Sequence, residues 1–169
     1  MLIHGVPGSG KSTYSLVLAF ELTRWSRVLY GNFEESPGVT LQNKIKTVTK
    51  RHGNQNTKKI HFLETSTETE FWNELATGRY KYCIVDSISQ VANTAHKIVD
   101  FMQKSVQFPG VSFINIIHSR RARDGKRESD YKGSSAIGHL VDINQRVVDG
   151  VVWNDKNRFL GRDCLTSSG

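Results

Sequence analysis

Gly5-Val6-Pro7-Gly8-Ser9-Gly10-Lys11-Ser12 decides the reading of this chain. The run has the form G-x-x-x-x-G-K-[ST]. Before it stands the apolar Met1-Leu2-Ile3-His4, which reads as the end of a strand. After it, Ser12-Thr13-Tyr14-Ser15-Leu16-Val17-Leu18-Ala19-Phe20 reads as an opening helix. Strand, loop and helix in that order are the setting in which this pattern cradles phosphate. The glycines permit backbone angles that turn successive N–H groups inward, and the helix N-terminus adds partial positive charge at the same point. The spacing implies a nucleoside triphosphate held by Gly5, Pro7, Gly8, Ser9, Gly10, Lys11, Ser12 and Thr13. Lys11 would reach the terminal phosphates and the Ser12 hydroxyl would sit on Mg²⁺.

A chain of 169 residues can bury a core as one domain, residues 1–169. It contains no long apolar run, which excludes a membrane-spanning helix, and no signal-peptide layout opens it. Cys83 and Cys164 are too few for a disulfide framework or a four-cysteine zinc site; Cys83 in an apolar run is expected to be a buried, reduced thiol, which points to the cytoplasm. The net charge of +7 and pI near 9.5 favour an anionic partner besides the nucleotide, nucleic acid first among them.

Strand-like and helix-like segments alternate, predicting an α/β fold: a mostly parallel central sheet with helices on both faces. Strands are expected at Arg27–Tyr30, Ile60–Leu63, Tyr82–Val85, Val111–Ile117 and, as one unit, Gln145–Trp153. The run Val111–Ile117 is the most apolar and is expected to be central. A basic surface helix is expected from Gly38 to His52. Thr67-Glu68-Thr69-Glu70 forms a capping box, and Ala95, Ile98, Val99, Met102 and Val106 mark the inward stripe of a later helix.

Ligands of open parallel sheets bind beyond the C-terminal strand ends, and the remaining polar residues fall there. Ile84-Val85-Asp86-Ser87 ends a strand in an aspartate of the Walker B form, suited to hold Mg²⁺ through water. The second strand runs into Asn32-Phe33-Glu34-Glu35-Ser36; a carboxylate there, beside the phosphate-loop strand, could deprotonate water attacking the terminal phosphate. His118 ends the most apolar strand, where it could bond that phosphate and register its loss. The segment 119–133 follows, with six basic residues against three acidic; Arg120, Arg121, Arg123, Lys126 and Arg127 suit a polynucleotide backbone.

These segments, in this order, resemble the RecA-type ATPases, and among them the RadA/Sms and KaiC branch. The likeness is carried by the phosphate loop, Val28-Leu29-Tyr30 leading into Glu34-Glu35-Ser36, and Ile84-Val85-Asp86-Ser87-Ile88. His118 with its basic segment, Gly133 ahead of His139-Leu140-Val141-Asp142, and Lys156-Asn157-Arg158-Phe159-Leu160-Gly161 complete it. The last element is similar to the K-N-R-F-G signature of RadA proteins, with Leu160 as an insertion. The chain is read as a minimal core, without the zinc motif or protease-like domain of full RadA proteins.

The resemblance implies a three-layer RecA-like fold, with Glu34 as the water-activating base and Glu35 a second candidate. It implies that the 119–133 segment contacts DNA, single-stranded DNA foremost, and that Lys156 and Arg158 reach the ATP site of a neighbouring subunit in a ring or filament. The activity it implies is a DNA-stimulated, Mg²⁺-dependent ATPase of recombination, repair or replication. Two alternatives stay open: a small kinase whose lid is the arginine-rich segment, and a KaiC-like or helicase-loader protein whose assembly is controlled by nucleotide.

Overall fold

The computed structural model describes residues 1–34, 39–52, 57–64, 67–119 and 136–159. Seven strands form one sheet: β1 (Leu2–Gly5), β2 (Val28–Asn32), β3 (Ile60–Glu64), β4 (Tyr82–Asp86), β5 (Ser112–His118), β6 (Ile143–Val148) and β7 (Val151–Asn157). Their order is β3-β2-β4-β5-β1-β6-β7. The first six are mutually parallel and β7 runs antiparallel to β6. The fold is α/β and mostly parallel, as the alternation of segments predicts, and β5 is the central strand.

The helices are α1 (Lys11–Leu22), α2 (Val39–His52), α3 (Glu68–Leu75), α4 (Ile88–Val91), α5 (Ala95–Lys104) and α6 (Ala136–His139). Which face each covers follows from strand periodicity, because successive residues point to opposite sides of a sheet. Ile3, Val28, Tyr30, Ile84, Ile114 and Ile116 pack with Leu16, Ala19 and Phe20 of α1 and Leu41 and Val48 of α2. Their strand neighbours Leu2, Leu29, Cys83, Val85 and Ile117 pack on the other side with α3, α5 and α6. Both sides of the central strands are thus buried, which is why those runs are continuously apolar rather than alternating.

The second core is aromatic. Trp72 lies 4.7 Å from Phe101 and stacks on Phe108 at 5.4 Å, with Phe71 edge-on to Trp72 at 5.1 Å. Such pairs add about 0.5–1.5 kcal/mol each beyond the area they bury. The helix feeding this cluster starts as its sequence dictates: the Thr67 hydroxyl accepts the Glu70 amide at 3.4 Å. Cys83 is buried within β4 as a free thiol, its pKa raised by burial; Cys164 lies outside the described residues.

Three expectations need correction. Gln145–Trp153 is not one strand but two, folded at Asp149-Gly150, where both residues have positive φ (48° and 80°). An Asp-Gly pair with both φ positive is the two-residue hairpin turn whose twist matches the strands it joins. β2 does not lie beside β1; β4 and β5 separate them. Val106 is 79% exposed, since α5 ends at Lys104, and the inward stripe is completed by Phe101 instead.

Candidate functional site: a phosphate cleft at the strand ends

The phosphate loop bridges β1 and α1. Gly8 and Gly10 both take left-handed angles (φ 84° and 100°), and Gly10 caps α1 without any side-chain bond to the helix. Gly5 is required for space: a Cβ there would run into the Val147 carbonyl oxygen on β6. The hairpin turn also braces the loop, the Gly150 amide donating to the Ser9 carbonyl at 2.9 Å.

Pro7, Gly8, Gly10, Lys11, Ser12, Thr13, Glu34, Lys44 and His118 line one cleft of about 250 Å³. Lys11 is almost wholly buried, and its ammonium donates to the Val6 carbonyl at 2.8 Å. Burial lowers its pKa, opposed by the carboxylates of Glu34 and Asp86. Of the loop residues expected from the motif, Pro7, Gly8, Gly10, Lys11, Ser12 and Thr13 line this cleft, and Gly5 and Ser9 do not.

Asp86 sits at the end of β4, 4% exposed. Its Oδ2 accepts the Tyr30 hydroxyl at 2.8 Å, and Ser15 Oγ lies 2.8 Å from the same phenol oxygen. Its Oδ1 is buried with no hydrogen-bond partner. Burial raises the Asp86 pKa, and the Tyr30 hydroxyl works against that rise. The unpaired Oδ1, with the Ser12 hydroxyl near enough to oppose the rise in the Asp86 pKa as well, fits a hard cation that binds oxygen. Mg²⁺ keeps much of its water and takes one or two protein oxygens plus substrate phosphates, so this sparse donor pair suits it. Among the described residues no cluster of three or more His, Cys, Asp or Glu could hold a metal by itself.

Glu34 is fixed from β4. The amides of Phe33 and Glu34 both donate to the Asp86 carbonyl, at 2.6 and 3.2 Å. The Glu34 carboxylate meets His118 Nε2 at 3.0 Å from the other side. That bond is the largest influence on Glu34 and lowers its pKa, against a burial effect that raises it. Sheet order explains the meeting: β2 and β5 flank β4, so their C-terminal ends open to either side of Asp86.

Lys156 and Arg158 stand elsewhere. In the β6–β7 register Lys156 pairs with Asn144, itself level with Leu2, so it lies three residues down the sheet from Gly5. Its ammonium donates to the Gly138 carbonyl at 3.0 Å. Arg158, just beyond β7, donates to Asp142 at 2.9 Å. Neither lines the cleft of their own chain. Arg120, Arg121, Arg123, Lys126 and Arg127 lie outside the described residues, as does Glu35; Ser119 is the last described residue before the basic run.

Sequence reasoning misses three contributors. Tyr30 reads only as strand core. Lys44, on the helix expected at the surface, reaches the cleft. His4, one residue before the loop, is buried with Nδ1 3.0 Å from Ser119 Oγ and Nε2 2.9 Å from Asp155 Oδ2. Burial lowers the His4 pKa, opposed by the Asp155 hydrogen bond. A polar residue closing an otherwise apolar strand is the only signal for it.

The fold is α/β with a mostly parallel seven-stranded sheet, the fold seen in solved RecA-like domains. The chain is similar to one solved ATPase domain with a TM-score of 0.68 and 15% identity, over 95% of this chain and 77% of that one. It is also similar to a DnaB-like replicative helicase, solved with its interactions with primase, at a TM-score of 0.69 and 15% identity. That second likeness covers 94% of this chain but only 53% of the helicase. No family model and no curated protein sequence matches the chain.

Proposed function

We propose that the chain is a Mg²⁺-dependent ATPase of the RecA type that couples hydrolysis to DNA. The single observation that carries this reading is the meeting of Lys11, Ser12, Glu34 and His118 around one cleft, with Asp86 at its base. The backbone amides of the loop and Lys11 bind the phosphates. Ser12 and Asp86 would hold Mg²⁺, which would supply charge neutralisation at the phosphates. Glu34, kept ionised by His118, orients water and accepts its proton.

His118 stands one residue before Ser119 and two before the basic run, so a shift of its side chain on phosphate loss is carried by one stretch of backbone into that run. The arginines and lysines of the run bind single-stranded DNA through its phosphates. Lys156 and Arg158, remote from their own cleft, act on the site of a neighbouring copy in a ring or filament, as in the RadA branch whose K-N-R-F pattern they share. The DnaB-like neighbour favours work in replication over recombination or repair. The reading places the protein with other ATP-driven DNA enzymes of the cell interior.

Phosphate release from ATP and Mg²⁺, measured at low salt with and without single-stranded DNA, tests this. Stimulation by DNA supports the reading. Turnover of ATP that DNA leaves unchanged removes the DNA role, and absence of turnover removes the ATPase.

A further inference from the structure

Among the described residues, Lys44 is the one wall residue of the phosphate cleft contributed by α2. It follows Leu41 by three positions and precedes Val48 by four, and both of those are buried against α1 and the sheet. Residues so spaced share a helix face, so Lys44 stands on the inward stripe where an aliphatic side chain would be expected. From that face its side chain lines the cleft. Two lysines thus face a cavity of only about 250 Å³, Lys11 from α1 and Lys44 from α2.

Two ammonium charges in so small a cavity repel. A ligand carrying several negative charges relieves that repulsion. Lys44 lines the cleft together with Glu34 and His118, the groups that the proposed function puts at the outermost phosphate, while the glycine amides of the loop would take the inner ones. We propose that Lys44 is a second phosphate-binding cation, which contacts the terminal phosphate of the nucleotide and sets the preference for triphosphate over diphosphate. This inference rests on the reading of the cleft as a nucleotide site.

The test is binding of ATP and of ADP, each with Mg²⁺, to the full chain and to Lys44→Gln, Lys44→Met and Lys44→Arg, by calorimetry. Removal of the charge in Lys44→Gln or Lys44→Met should weaken ATP on the order of tenfold or more, as loss of one charge-assisted contact does, and leave ADP within about twofold. Lys44→Arg should recover most of the ATP affinity. Equal weakening of both nucleotides by Lys44→Gln and Lys44→Met, or no weakening of either, overturns the inference while leaving the nucleotide reading intact. An unaltered chain that binds neither nucleotide overturns the nucleotide reading, and the role of Lys44 with it. Thermal unfolding of each variant without nucleotide, matched to that of the unaltered chain, confirms that the cleft compared is the folded one.

Discussion

Glu34 and His118 touch across the mouth of β4, carboxylate to imidazole at 3.0 Å, with Asp86 at the end of the strand between them. Glu34 lies two residues past β2 and His118 ends β5, strands that do not pair with each other. The contact sets the protonation of the proposed base. Because His118 lowers the Glu34 pKa below its ordinary 4.5, Glu34 remains a carboxylate at pH values where a free glutamate is half protonated. Replacing His118 by Gln should move the acid limb of the ATPase pH–rate profile upward. Replacing Glu34 by Gln should cut phosphate release about 10²–10⁴-fold, the range for a lost general base, with ATP affinity retained. A His118→Gln profile identical to that of the unaltered chain would separate the pair from catalysis.

Asp86 predicts a conflict between stability and activity. Its charge is buried with one oxygen unpaired, and its pKa is raised above 3.8. A raised carboxylate pKa means that the unfolded chain ionises first, so this group favours unfolding as pH climbs past 3.8. Asp86→Asn removes the charge and keeps an acceptor for Tyr30. In the absence of nucleotide its melting temperature should rise by a few degrees, each kcal/mol being about 2–4 °C at this size, while Mg²⁺-dependent hydrolysis disappears. Calorimetry in metal-free buffer reads the first effect, and a lowered melting temperature would show that the carboxylate is a structural asset.

His4 predicts acid sensitivity. Burial holds its pKa below 6.5, although Asp155 opposes this; Arg146 and Lys11 add to the depression and Ser119 closes the other ring nitrogen. The unfolded chain therefore takes up a proton first, and stability falls as pH drops below 6.5. His4→Gln should flatten this part of the stability–pH curve. Denaturant midpoints between pH values of about 5 and 7.5, which bracket the ordinary histidine range, check it. Equal slopes for both proteins would exclude His4 as the source.

Two glycines should fail for different reasons. Gly150 has open space around its Cα but a φ of 80°, so Gly150→Ala should cost about 1–2 kcal/mol of left-handed strain. It should also loosen the brace on Ser9 and weaken nucleotide binding. Gly5 has no room for a Cβ beside the Val147 carbonyl, so Gly5→Ala should be the more destabilising of the two. Urea unfolding ranks them, and the reverse order would mean that the loop yields more easily than the hairpin.

Much of the fold is legible in the sequence because its signals are local. Apolar runs closed by glycine, a Thr67-to-Glu70 cap and the phosphate loop each specify a segment through residues adjacent in the chain. The turn at Asp149-Gly150 carries a local signal too, but the apolar run through it masks the break. Lys44 is not legible, since a lysine among lysines on a basic helix looks the same whether it faces water or a cleft. Only the packing of Leu41 and Val48 against the sheet orients it.

The grip on phosphate at residues 5–12 can be read without any structure, because loop dihedrals, helix start and lysine all lie within one short stretch. So can the identity of the strands that end in chemically competent groups. That Glu34, Asp86 and His118 share a site is a property of the folded chain, since their approach depends on the order β2-β4-β5. Long-range backbone pairing chooses that order, together with two cores that must both be filled, and no single position encodes either.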